Sequence, residues 1–357
     1  MELNQNTGYI KLKNSRTISL LGAVAIMILV AFPNCWAQAN TNSDQTTTTK
    51  VPTTAFDALK DKLDRTKAGP ITRPMIVEIA YNTYFLNEFG MDAQYLLVGT
   101  KRALLIDTGS GFCDLKGTIE KLTSLPYDVA ITHGHPDHAG GMREFPVVWI
   151  NSADVAMAES DTEERAKRYG EILWHMPVGY KDVWGYTPAD AKWGDWDKKP
   201  SFKSLHDGQT FDLGGGRIVT VYQTPGHTPG SCVFLDHKTR ILFTGDAANP
   251  NLLAAALPLI TTLRSLLKIK SLHAEYDRIY NGHTAYGGTL DALSQNPHVL
   301  DDLIANCRGL LQGKLKGKTV PNFLFSTRTN TLSIYGSAQI VFDPDKLWKP
   351  GKPHVIP

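Results

Sequence analysis

Cysteine is scarce in this chain, with four in 357 residues, and one of them, Cys35, falls in the amino-terminal segment set aside below. That excludes a disulfide scaffold, which would be cysteine-dense. The remaining three, Cys113, Cys232 and Cys307, are an odd number, so at least one thiol stays unpaired. Cys232 opens the apolar run Cys232-Val233-Phe234-Leu235 and reads as a small buried hydrophobe, and no cysteine is assigned a catalytic role. Excess charge is also lacking, at +2 overall. Residues 1–39 hold three basic residues (Lys11, Lys13, Arg16) against one acidic (Glu2), so the remainder is formally neutral. Nucleic-acid binding needs a basic footprint, and none is present. After residue 39 no apolar stretch approaches the ~20 residues of a membrane-spanning helix.

The amino-terminal end has its own logic. A basic flank precedes an apolar stretch of 15 residues, Ile18 to Phe32, followed by Ala37-Gln38-Ala39. Basic region, short hydrophobic region and small-residue cleavage site together predict a secretory signal peptide over 1–39. The context Phe32-Pro33-Asn34 before Cys35 is a poor match to a lipoprotein signal, and an uncleaved anchor is the alternative to cleavage. The expected product is periplasmic or secreted, with no stable membrane insertion after cleavage. Residues 40–72 form a polar leader, rich in Thr, Asn, Ser and Gln, with a short helical pattern over Phe56 to Lys67.

The chemistry is concentrated in Thr132-His133-Gly134-His135-Pro136-Asp137-His138, which follows an apolar strand-like run. Neutral imidazole and carboxylate are ligands that zinc accepts readily. Consecutive side chains on a strand alternate faces, so only a loop can aim several of them at one point. The Gly and Pro here favour such a loop. Three later segments repeat the arrangement: Thr224-Pro225-Gly226-His227-Thr228-Pro229-Gly230-Ser231, Phe243-Thr244-Gly245-Asp246 and Tyr280-Asn281-Gly282-His283. Each places one candidate ligand beside glycine just past an apolar run: Ile218 to Tyr222, Ile241 to Phe243 and Arg278 to Tyr280. Five His and two Asp result, enough donors for two metal ions.

These segments resemble the metallo-β-lactamase superfamily, whose loops carry His-x-His-x-Asp-His and then a His, an Asp and a His. The resemblance covers roughly Ile76 to His298, with all seven positions filled. It implies that His133, His135 and His227 hold a first metal, that Asp137, His138 and His283 hold a second, and that Asp246 bridges them. It also implies two Zn²⁺ per chain and a metal-held hydroxide as nucleophile, since zinc lowers the pKa of bound water from about 15.7 to about 7. Asp137 is expected to guide a proton to the leaving group. Asp107, ending Leu105-Ile106-Asp107-Thr108-Gly109, matches a carboxylate that orients a ligand His in the family. A strand-end cap on local backbone is its other reading. His175, His206, His237, His273, His298 and His354 lack the motif context and are read as ordinary histidines.

Strands and helices alternate over about 220 residues, which indicates a layered α/β protein. Tyr95–Val98 and Ala103–Ile106 read as a hairpin, Asp114–Leu122 as a helix and Val129–Ile131 as a buried strand. The resemblance sharpens this to an αββα four-layer sandwich with the metals at one edge between the halves. The expected organisation is a hydrolase domain over 73–304 and a carboxy-terminal extension over 305–357, where Asn330 to Phe342 supplies one or two strands. Two segments stay open on sequence. Tyr169 to Trp196 holds four of the seven tryptophans and either overhangs the site or packs down as an ordinary loop. The run Leu252 to Leu267 reads as a core-facing helix in preference to an acyl-chain pocket.

Asp246 discriminates among functions within the family. Periplasmic β-lactamases with this His motif usually lack it, whereas thioesterases of the glyoxalase II type, lactonases and phosphodiesterases keep it. The His227 loop nevertheless looks like that of the β-lactamases. Export weakens a glutathione thioester as substrate. The expectation is an exported dinuclear zinc hydrolase cleaving a carboxylic ester, lactone or related acyl bond of a small molecule. A β-lactam-hydrolysing enzyme and a mononuclear iron persulfide dioxygenase are the alternatives. Flavodiiron oxidoreductases carry Glu where this chain has His135, which argues against that class.

Overall fold

A computed structural model of the chain describes residues 74–88, 92–111, 113–165, 195–283, 294–322 and 329–357, with the backbone of 2–4 and 9–11. The apolar stretch 18–32, the expected helix over 56–67 and most of the aromatic segment 169–196 lie outside these residues. The first sheet runs in sequence order: β1 (Glu2–Asn4), β2 (Tyr9–Lys11), β3 (Met75–Ala80), β4 (Thr83–Glu88), β5 (Asp92–Val98), β6 (Ala103–Ile106), β7 (Tyr127–Ala130), β8 (Val147–Ile150) and β9 (Ser201–Ser204). The expected hairpin is the antiparallel pair β5–β6, and β6 through β9 are parallel. β1 and β2, within the expected signal peptide, pair with each other, and β2 pairs with β3.

The second sheet is β10 (Thr210–Gly214), β11 (Arg217–Gln223), β12 (Cys232–Asp236), β13 (Ile241–Phe243) and β15 (Arg278–Tyr280). Parallel β6–β7 is bridged by α1 (Leu115–Leu122), whose N-cap Asp114 accepts from Gly117 N–H. Next come α2 (Pro136–Ala139), α3 (Val155–Glu159), α4 (Leu259–Ser271) and α5 (Val299–Leu311).

The strands explain the layering. All four residues of β6 and all five of β12 are buried, so neither shows a polar face. Leu104 and Ile106 face a core shared with Phe234, Phe243, Val219 and Val221 of the second sheet. Ala103 and Leu105 face the opposite way, onto Leu115 and Ile119 of α1. Val233 and Leu235 likewise turn outward onto Leu263, Leu266 and Leu303 of α4 and α5. Side chains alternate along a strand, so strands apolar on both faces require a layer on each side. The result is the expected αββα sandwich.

Two details differ from the sequence reading. The run Leu252 to Leu267 is not one helix. It divides into strand β14 (Asn251–Ala254) and α4, separated by Pro258 at the helix N-cap position. Proline's fixed φ and missing N–H suit such a helix entry. In addition, α5 runs through the 304/305 position, and β14 pairs in parallel with β18 (Ala338–Phe342). β18 joins β17 (Thr329–Tyr335) and β16 (Lys318–Pro321) in a third sheet, and Ala338, Ile340 and Phe342 of β18 share a core with α4 and α5.

One polar group sews the sandwich together. Arg217 on β11 is 2% exposed, and its guanidinium meets Asp236 at 2.7 Å. Its remaining N–H groups donate to Asn82 O, Val98 O and Thr83 Oγ1 in the first sheet.

Candidate metal centre

The four motif segments converge at the ends of β7, β11, β13 and β15, so both sheets contribute. Cys232 N–H donates to Thr132 O, Ala93 N–H to Gly282 O, and Gly282 N–H to Gly245 O, lacing the loops to one another and to both sheets. His135 stands at the N-cap position of α2, with Pro136 opening that helix and Asp137 and His138 on its first turn.

The seven side chains form two clusters. In the first, His227 Nε2 lies 3.1 Å from His133 Nε2 and 2.8 Å from His135 Nδ1, and the latter two are 3.1 Å apart. In the second, His283 Nε2 is 3.4 Å from Asp137 Oδ2, and His138 Nε2 is 3.7 Å from the same oxygen. Asp246 stands between them: Oδ2 is 3.5 Å from His227 Nε2 and 3.2 Å from His283 Nε2, and Oδ1 is 3.7 Å from His138 Nε2. The sequence-derived residues are therefore all brought together. His206, His237, His273, His298 and His354 belong to none of these clusters, and His175 lies outside the described residues.

Ring orientation is set from behind. His227 Nδ1–H donates to Leu253 O at 2.8 Å, which leaves Nε2 as the lone-pair nitrogen facing the cluster. His138 Nδ1 lies 2.9 Å from Asp107 Oδ2, and Thr132 donates to Asp107 through both its N–H (2.7 Å) and its hydroxyl (2.9 Å). His133 Nδ1 in turn lies 3.1 Å from that hydroxyl. Asp107 thus orients His138 directly and His133 through Thr132, and the backbone N–H it accepts from is that of Thr132, 25 residues on, so it is not a cap on local backbone. Its φ of +63° is a costly backbone state for a non-glycine residue, held in place here by these bonds. The Leu253 contact had no signal in the sequence, because a backbone carbonyl is common to every residue type. A further pair also escaped that reading: Glu88 and Asp92 are buried and both accept from Ser110 N–H. Burial, with Asp137 and Glu88 adding to it, pushes the Asp92 carboxyl well above the usual range.

The electrostatics suit cations. Burial and the neighbouring imidazoles lower His133 far below its ordinary value and bring His135 to about 4. Burial lowers His227 too, against the opposing pull of Asp246. Three neutral imidazoles with converging lone pairs are thus present at neutral pH. In the second cluster burial opposes the charge on His283, yet Asp246 and Asp137 raise it to about 9. Burial alone would push the Asp246 carboxyl up, but His283 and His138 hold it well below the usual range.

The donor set fits a metal ion on independent grounds. His138 Nε2 and Asp246 Oδ1 are buried and have no hydrogen-bond partner. Their 3.7 Å separation is too long for a hydrogen bond. Spacings of 2.8–3.7 Å across the two clusters are near those of donors each about 2 Å from a shared ion.

An αββα sandwich with paired His/Asp clusters at the strand ends defines a class of metal-binding proteins. A sequence profile of the metallo-beta-lactamase superfamily matches residues 89–283, and the chain belongs to that superfamily. An acyl-coenzyme A thioesterase of Gallus gallus is 30% identical over 166 residues, which is 43% of this chain and 56% of that protein. Hydroxyacylglutathione hydrolase GloC of Haemophilus influenzae is 30% identical over 152 residues, 41% of this chain and 61% of that protein. The chain spans between half and two-thirds of the length of these relatives. A metallo-beta-lactamase family protein of Thermus thermophilus has a similar fold, at 20% identity and TM-score 0.44, covering 66% of this chain and 82% of that one.

Proposed function

We propose that this chain is a dinuclear zinc hydrolase of acyl bonds in small molecules: carboxylic esters, lactones or thioesters. The observation that carries the reading is the place of Asp246, within 3.2–3.7 Å of His283, His227 and His138. A carboxylate there offsets the repulsion between two cations held by His133, His135 and His227 on one side and by Asp137, His138 and His283 on the other. The names of the thioesterase and glutathione-thioester hydrolase relatives support an acyl substrate. Bound zinc would supply a nucleophile at neutral pH and polarise the acyl oxygen. The chain's own residues hold the imidazoles neutral in the first cluster and keep Asp137 and Asp246 ionised in the second. Asp137, only partly buried, stands where it can take a proton and pass it to the leaving group.

Elemental analysis of protein purified without chelators should give about two zinc ions per chain, because seven donors exceed the four of one tetrahedral ion. The zinc-loaded protein, screened against esters, lactones, thioesters, phosphodiesters and β-lactams, should act first on the acyl substrates. One iron per chain with oxygen consumption would replace this reading with the dioxygenase, and turnover of β-lactams alone would replace it with the lactamase.

The basic flank, short apolar stretch and small residues at Ala37 and Ala39 support export to the periplasm or medium. Amino-terminal sequencing of protein from its native host should begin between Gln38 and Asn40. Recovery of Met1 or Glu2 in the cytosol would reject export and favour a thioester of the cytoplasm.

A further inference from the structure

We propose that Asp154 is a positioning residue that clamps the loop of His133 and His135 to the loop of His227, holding the three imidazoles convergent before metal binds. The inference rests on the reading that these histidines hold an ion. Asp154 is fully buried and ends the short helical turn Ser152–Asp154 that follows β8. Its Oδ2 accepts from Gly134 N–H at 3.0 Å and from the Thr228 hydroxyl at 2.6 Å. Its Oδ1 accepts from Gly230 N–H at 2.7 Å. Gly134 separates His133 from His135, and Thr228 follows His227 directly, so one carboxylate holds both ligand loops.

A carboxylate suits this task because it accepts at two oxygens and donates at neither. Bonds to an ionised acceptor are shorter and roughly twice as strong as neutral ones. Here three donors come from two segments that lie 20 residues before and 74 to 76 residues after Asp154. The glycines of both motifs fit the same role. A Cβ at Gly134 would stand 2.6 Å from the Asp154 carbonyl oxygen, and one at Gly230 would stand 2.6 Å from Asp154 Cγ. Both loops therefore reach Asp154 only as glycine. Ser231 completes the second loop, its Oγ accepting from Thr228 N–H at 3.0 Å. Without the carboxylate, the side chains of the first cluster would still be present, but binding metal would have to order their loops.

The test measures zinc affinity by chelator competition and the visible spectrum of the cobalt(II) form. The folding of metal-free protein is followed in parallel by circular dichroism and thermal midpoint. Asp154→Asn keeps the volume but turns an NH₂ toward a donor, and Thr228→Val removes one arm alone. Both variants should fold, with zinc affinity reduced 10- to 100-fold, the range typical of lost outer partners of metal ligands. Their cobalt spectra should shift as ligand geometry loosens, and Asp154→Ala should show the larger loss. A role confined to general stability would lower the metal-free midpoint and leave the affinity of the folded fraction within about twofold, which would overturn the proposal. If Asp154→Asn fails to fold, Thr228→Val decides. His227→Ala separates the two readings. Unchanged zinc content in His227→Ala would refute the metal assignment itself, whereas loss of an ion there with normal affinity in the Asp154 and Thr228 variants would refute only the clamp.

Discussion

Asp246→Asn is expected to leave the protein folded, to reduce bound zinc from two ions toward one, and to lower turnover by at least about a hundredfold. Loss of an outer partner of a metal ligand can already cost up to about a hundredfold, and Asp246 stands among the ligands themselves. Its two oxygens face opposite clusters, Oδ2 toward His227 and His283 and Oδ1 toward His138. Asparagine matches the volume, so the surrounding packing should survive. It supplies one oxygen instead of two, carries no charge, and turns an NH₂ that cannot bind a cation toward one of the clusters. Two cations would then repel with nothing between them, and the second site would empty first because it also loses a negative neighbour. Elemental analysis, circular dichroism and turnover of the best substrate from the screen check each part. Two zinc ions with undiminished turnover would show that Asp246 bridges nothing. His175→Ala, read from the sequence as an ordinary histidine, should leave both ions in place.

Arg217→Ala is expected to cost about 3–5 kcal/mol of stability, the range for breaking a buried ion pair from one side. Asp236 is fully buried and would lose the guanidinium at 2.7 Å, keeping the Thr239 hydroxyl and the N–H of Lys238 among the described residues. The carbonyls of Asn82 and Val98 and the Thr83 hydroxyl would lose their donors at the same time. A drop in thermal midpoint on the order of 10 °C follows for a domain of this size. Arg217→Lys should recover only part of it, since an ammonium cannot present the flat fork that reaches both sheets. The measurement is the midpoint of metal-free protein, which avoids confusing lost folding with lost metal. An unchanged midpoint would mean that water replaces every one of these contacts.

The histidine and aspartate motifs were legible because each lies in a short local pattern, an apolar run followed by glycine and one ligating side chain. β13 and β15 fall on the residues expected from those runs, Ile241 to Phe243 and Arg278 to Tyr280. Other features were read less well. The stretch Leu252 to Leu267 carries apolar residues in both its strand and its helix, and composition alone does not show that Pro258 opens the helix. Asp154 sits in Asn151-Ser152-Ala153-Asp154, a segment without a ligand pattern, and its partners are 20 to 76 residues away.

The sequence by itself determined a layered α/β chain and the seven candidate ligands, and the resemblance its motifs carry implied the αββα arrangement. Strand periodicity and the geometry of strand-end loops depend on neighbouring residues, and these are printed in order along the chain. Only the tertiary structure decided which face of β6 and β12 meets the other sheet, since both faces are apolar and polarity cannot choose between them. It alone also placed Leu253 O behind His227 and Asp154 across two loops, and it singled out His138 and His133 as the histidines that Asp107 serves. Those contacts join backbone groups and side chains from distant segments, so their existence depends on how the layers close.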